Sequence, residues 1–168
     1  ISQLKTPNQV MLVAEKLKWE GEPALKQSIT LVLDTIQDPG NMGTIIRLAD
    51  WFGIKQIICS TASADIYNPK VVQSSMGSIA RVRVDYVDIL SWLKKNKEIP
   101  VYAAALDGKN INQMKKVTEG IIIIGNESKG ISKEILQEVD ARITIPAKGK
   151  AESLNAAVAA GIILSHLV

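Results

Sequence analysis

Four consecutive isoleucines, Ile121 to Ile124, stand between Gly120 and Gly125 and restrict this chain more than any other stretch. A strand with one wet face alternates apolar and polar residues. An unbroken β-branched run instead suits a central strand of a parallel sheet, covered by helices on both faces. The surrounding sequence fits that reading. Residues 29–33 read as a strand, 34–41 as a loop, 42–52 as a helix and 55–59 as a strand. Met42, Ile45, Ile46, Ala49 and Phe52 mark the buried face of that helix, Thr44 and Arg47 point away from it, and Gly53 ends it.

The alternation continues to the end. A short helix is expected from Pro69, a longer one over 86–97, and a strand in PVYAAALDG that leads into a turn at Asp107-Gly108. Ile135, Leu136 and Val139 mark a short helix before a strand at 142–145. Pro146, which has no amide hydrogen, stops that strand. The last helix is expected to take Ser153 as its N-cap, with Leu154, Ala157, Val158, Gly161 and Ile162 on its buried face. Near the start, residues 7–20 carry Val10, Val13, Ala14 and Leu17 at helical spacing, with Asn8 placed to cap them; EGEPALKQS reads as a linker. The fold class is α/β with a mainly parallel sheet covered by helices on both faces.

Composition narrows the function classes. A chain of 168 residues is enough for one domain with a proper core, and 46% hydrophobic with 22% charged residues is the balance of a globular protein. The single Cys59 has no partner for an internal disulfide, and one histidine leaves little with which to hold a metal, so no metal is expected. No apolar run approaches the length of a membrane span and no signal peptide is visible, so a cytoplasmic location is the default. A formal net charge of +3 is compatible with an anionic partner.

Ligands of such sheets bind beyond the carboxyl ends of the strands. Three loops leave strand ends with glycines and polar side chains together: DTIQDPGNMGTIIR, GNESKGIS and PAKGKAESLN. Taken singly, each has an ordinary reading as a turn or a solvated surface; three at strand ends form a constellation. None matches the dinucleotide fingerprint G-x-G-x-x-G, the phosphate loop G-x-x-x-x-G-K-[ST], or the nucleophile elbow G-x-S-x-G. His166, near the end of an apolar helix, reads as a surface or core residue and not as a base.

Together these stretches resemble the SpoU family of RNA ribose 2′-O-methyltransferases, within the SPOUT superfamily. DPGNMGTIIRLADWFGI is similar to its first motif, IIIIGNESKGIS to its second and IPAKGKAESLNAAVAAGIIL to its third, while YNPKVVQSSMGSIARV is similar to the segment between the first two. The resemblance covers residues 29–168, with Ala147 and Ala156 standing where bulkier residues are common. It implies a deep trefoil knot at the C-terminus, S-adenosylmethionine as the cofactor, and a homodimer. It implies a cofactor pocket from Ala105, Leu106, Gly125, Asn126, Ile145, Pro146 and Leu154. It makes Arg47 the central catalytic residue, with Asn41, Glu127, Ser153 and Asn155 around it. Arg47, Lys129, Lys148 and Lys150 are the candidates for RNA phosphates, although a lone lysine is ordinarily a solvated surface residue.

The expected partner is RNA, ribosomal before transfer. Residues 1–28 are expected to be the tail of an RNA-binding domain of a ribosomal-protein-like type. Two rivals stay open at the level of sequence. One is a catalytically inactive RNA-binding module on the same fold; the other is a nucleotide enzyme on a generic doubly wound sheet. Cofactor affinity separates the first rival from the methyltransferase, and a need for RNA separates the second.

Overall fold

The computed structural model describes residue 6, residues 13–21 and residues 24–168. Among the described residues, six strands form one sheet: β1 (Ile29–Asp34), β2 (Gln56–Ser60), β3 (Arg83–Val87), β4 (Val101–Asn110), β5 (Gly120–Gly125) and β6 (Ala141–Thr144). Their order across the sheet is β3-β2-β1-β5-β4-β6, and every neighbouring pair is parallel. The isoleucine run is β5, flanked by β1 and β4 and buried along all four isoleucines. Each such side chain contributes about 1.5–3 kcal/mol by leaving water, which is why no polar residue interrupts the run.

Among the described residues, five α-helices cover the two faces: α1 (Pro39–Trp51), α2 (Pro69–Ser75), α3 (Ile89–Lys95), α4 (Lys133–Leu136) and α5 (Ala156–Leu167). On one face Leu31, Leu33, Ile122 and Ile124 pack with Met42, Ile45, Ile46 and Ala49 of α1, Val71 of α2, and Ala160, Ile163 and Leu164 of α5. On the other, Val32, Ile121 and Ile123 pack with Ile89 and Leu93 of α3 and Ile135 of α4. Alternate isoleucines of one strand therefore serve two cores, as the run predicts.

Several expectations are corrected. The helix expected over 7–20 is not found where it can be seen: residues 13–20 have no helical structure, and Val13 and Leu17 are exposed. Residues 7–12, with Asn8 and Val10, lie outside the described residues. Apolar spacing stabilises a helix mainly through the surface it buries, and Val13 and Leu17 bury little. The helix expected over 86–97 is Ile89–Lys95, because Tyr86 and Val87 still pair with β2 as strand and Asp88 caps the helix by accepting from Ser91 N–H. The final helix starts two residues later than expected, with Asn155 rather than Ser153 as its N-cap. Its buried face is also rotated: Ala156, Ala157, Ala160, Ile163, Leu164 and Leu167 are buried, whereas Leu154 and Val158 are exposed. That helix is apolar on nearly every side, so spacing alone gave no unique phase.

The turn at Asp107-Gly108 is likewise not a simple strand end. β4 pairs with β6 through Ala104 opposite Ile143, then resumes with Lys109 opposite the same Ile143. Residues 105–108 are thus an excursion outside the ladder. A Cβ on Gly108 would lie 2.5 Å from the Ile143 backbone, so only glycine lets the chain close up after the excursion.

Candidate active site

The helix that follows β1 lies on one face of the sheet and the helix that follows β5 lies on the other. The carboxyl ends of these two adjacent strands, Asp34 opposite Gly125, therefore border a crevice where the connections diverge. The first turn of α1 and the loops after β5 and β6 each send one side chain to a common point. Asn155 donates from Nδ2 to Oδ1 of Asn41 at 2.9 Å, and Asn41 in turn donates from its own Nδ2 to Oε1 of Glu127.

Local structure fixes each member. Asp38 caps α1 by accepting from Asn41 N–H at 2.8 Å, with Pro39 in the first turn, where its missing donor costs nothing. Asn155 caps α5, its Oδ1 accepting from Ala157 and Val158 N–H at 3.0 and 3.2 Å. The two asparagines are thus anchored by the starts of two helices that pack together, with Leu48 of α1 against Gly161 of α5. Glu127 stands in a loop closed by two backbone bonds between Asn126 and Gly130. Gly125 at the base of that loop is obligatory in a steric sense, since a Cβ there would lie 2.5 Å from the Gly130 carbonyl carbon.

The strand-end positions expected to hold a cofactor gather along the same edge. Ala105 and Leu106 lie in the excursion of β4, Gly125 and Asn126 at the end of β5, and Ile145, Pro146 and Leu154 after β6. Backbone groups of 105–108 have no ladder partner on β6, and Leu106 is 79% exposed. An interrupted ladder beside the exposed apolar side chain of Leu106 leaves backbone and apolar surface together at the strand ends, a combination that suits a nucleoside-type cofactor. The Asn126 carboxamide is already engaged, with Nδ2 donating to the Thr35 carbonyl and Oδ1 accepting from Ser128 and Lys129 N–H. Its part in any cofactor site is left to its backbone.

Arg47 lies on the exposed side of α1, and its side chain makes no hydrogen bond or ion pair with the described residues. Lys129, Lys148 and Lys150 are also exposed, and none of them forms an ion pair among the described residues. Ser153 is exposed ahead of the helix it was expected to cap. The geometry therefore joins Asn41, Glu127 and Asn155 directly, while Arg47 and Ser153 stand outside that hydrogen-bonded chain. Among the described residues no cluster of three His, Cys, Asp or Glu could hold a metal ion, and no helix is long and apolar enough to cross a membrane.

The sequence model of the SpoU rRNA Methylase family matches residues 28–165, which holds all six strands. The chain belongs to the SpoU family. It is 34% identical over 174 residues to the 23S rRNA (guanosine(2553)-2′-O)-methyltransferase RlmP of Bacillus subtilis, spanning 99% of this chain and 67% of that protein. A TrmH-family structure from Porphyromonas gingivalis is 44% identical with a TM-score of 0.79, over 88% of this chain and 61% of that one. The SpoU methyltransferase AviRb of Streptomyces viridochromogenes, solved in complex with AdoMet, is 31% identical with a TM-score of 0.78, over 86% of this chain and 58% of that one. This chain spans about three-fifths to two-thirds of the length of these relatives.

Within this SpoU domain the three sequence motifs supply the three members of the Asn155–Asn41–Glu127 chain, one each. Sequence reasoning missed Asp34 and Thr35 at the end of β1. Asp34 is buried and accepts from Ser132 N–H and from the Thr35 hydroxyl, both at 2.9 Å. A charged residue at the end of a strand that is apolar apart from Thr30 was the signal that could have found it.

Proposed function

We propose that this SpoU domain catalyses transfer of a methyl group from S-adenosylmethionine to a ribose 2′-hydroxyl of RNA, with ribosomal RNA as the substrate class. The observation that carries this reading is the hydrogen-bonded chain from Asn155 through Asn41 to Glu127, at the switch point of the sheet. Relatives named as 23S rRNA 2′-O-methyltransferases and the AdoMet-bound SpoU structure support the substrate and cofactor classes.

The cofactor, when bound along the ends of β4, β5 and β6, supplies an electrophilic methyl carbon activated by a positive sulfur. The protein's share is then placement of the ribose oxygen and management of its charge. Glu127, oriented through Oε1 by Asn41, is assigned to the substrate hydroxyl through its second carboxylate oxygen. Arg47 is assigned to the developing 2′-oxyanion and a neighbouring phosphate, since its planar fork donates bidentately. Lys129, Lys148 and Lys150 are assigned to RNA phosphates; the sequence-reading function is placed outside residues 29–168 or on a second subunit.

The same reading includes a homodimer and a C-terminal trefoil knot. Support for the dimer comes from apolar side chains left uncovered along two packed helices, Trp51 (81% exposed) on α1 and Val158 on α5, with Leu154 just before α5. The test is incubation with methyl-labelled S-adenosylmethionine and ribosomal RNA, followed by digestion to nucleosides. Label in 2′-O-methylnucleosides supports the reading; label confined to bases refutes it.

A further inference from the structure

We propose that Asp34 and Thr35 form a clamp that positions the loop after β5, and through it Glu127; the functional part of this inference rests on the methyltransferase reading above. Both ends of that loop are held by the last turn of β1. At the near end, Asn126 donates to the Thr35 carbonyl at 2.9 Å. At the far end, Ser132 donates its N–H to Asp34 Oδ2 at 2.9 Å. Between these anchors stand Glu127 and the Asn126–Gly130 closure.

The clamp is held in a conformation that its own residue disfavours. Thr35 has φ of 59°, in the left-handed region that β-branched side chains rarely enter. Every polar group it carries is engaged: its N–H donates to Ser60 Oγ at 2.8 Å, its hydroxyl donates to Asp34 Oδ1 at 2.9 Å, and its carbonyl accepts from Asn126. Asp34 is 6% exposed and its two oxygens divide between Thr35 and Ser132, so one buried carboxylate fixes the strained turn and the far end of the loop together. The left-handed turn aims the Thr35 carbonyl across the crevice at the neighbouring strand end, which ordinary strand geometry continuing along β1 would not do. Asp34 acts through the loop and is a positioning residue.

Amide hydrogen exchange of the whole chain, with S-adenosylmethionine titration of the same samples, tests this. In Asp34→Ala the amides of Ser128, Lys129 and Ser132 are expected to exchange at least about tenfold faster, a larger factor than at Ile122 and Ile123 in the adjoining strand. Asp34→Asn is expected to restore protection, because its Oδ1 still accepts from Ser132 and its Nδ2 donates to the Thr35 hydroxyl. Cofactor affinity is expected to fall about tenfold in the alanine variant and little in the asparagine variant, following the loop. Equal acceleration at loop and strand amides, or none at Ser132, overturns the clamp. A loosened loop with unaltered cofactor affinity overturns its functional role. If the wild-type chain binds no cofactor, the methyltransferase reading fails, while the exchange pattern still decides the clamp.

Discussion

Asn41 and Asn155 lie 114 residues apart in sequence and meet through one hydrogen bond of 2.9 Å, from Asn155 Nδ2 to Asn41 Oδ1. Each is also pinned at the first turn of a helix, Asn41 by Asp38 and Asn155 through its own cap bonds to Ala157 and Val158. The contact therefore links the starts of α1 and α5 and hands Asn41's amide to Glu127.

Asn41→Asp separates the two bonds. The new carboxylate can still accept from Asn155 but has no N–H to donate to Glu127 and sets negative charge against it. Methyl transfer at neutral pH is expected to fall at least about tenfold, while unfolding by urea changes little. An unchanged rate would remove Glu127 from the reaction.

Arg47→Lys is expected to reduce methyl transfer by about a hundredfold while cofactor affinity stays within about twofold of wild type, because a point charge cannot replace the planar fork. Turnover and calorimetric affinity measured on one preparation check this. Near-normal turnover would refute the role.

Gly125→Ala is expected to destabilise the domain by about 1–3 kcal/mol, since its Cβ would meet the Gly130 carbonyl carbon and Ile131 nitrogen at 2.5 and 2.6 Å. Urea unfolding measures the loss. A neutral result would mean that the loop after β5 closes less tightly than described.

Burial pushes the Cys59 thiol up from 9.0 to about 12, and Tyr86 is likewise raised by burial, its hydroxyl donating to the Ala64 carbonyl. Both groups are neutral below these values, so the unfolded chain loses its protons first as pH rises. The stability they contribute is complete below about pH 9 and declines above it, by up to about 1.4 kcal/mol per pH unit for each titrating group. Urea midpoints across pH 8–11 should fall, and Cys59→Ala should flatten part of that slope. The same burial predicts that Cys59 resists thiol reagents until the chain unfolds.

Much of this was legible in sequence because it rests on local pattern. Ile121 to Ile124 announced a strand buried on both faces, and Met42, Ile45, Ile46 and Ala49 marked one face of α1. What was not legible depends on contacts between distant segments. Ser153 and Asn155 are both good capping residues, and Asn155, which holds the cap, is also the one that meets Asn41. Val13 and Leu17 have helical spacing but bury little surface. The Asp34–Ser132 bond joins residues 98 apart, and a lone acidic residue at a strand end says nothing of its donor.

The most direct test of the central claim is calorimetric titration of the chain with S-adenosylmethionine, its fold checked by circular dichroism. Saturable binding is the predicted result. A folded wild-type chain that binds no S-adenosylmethionine would contradict the account.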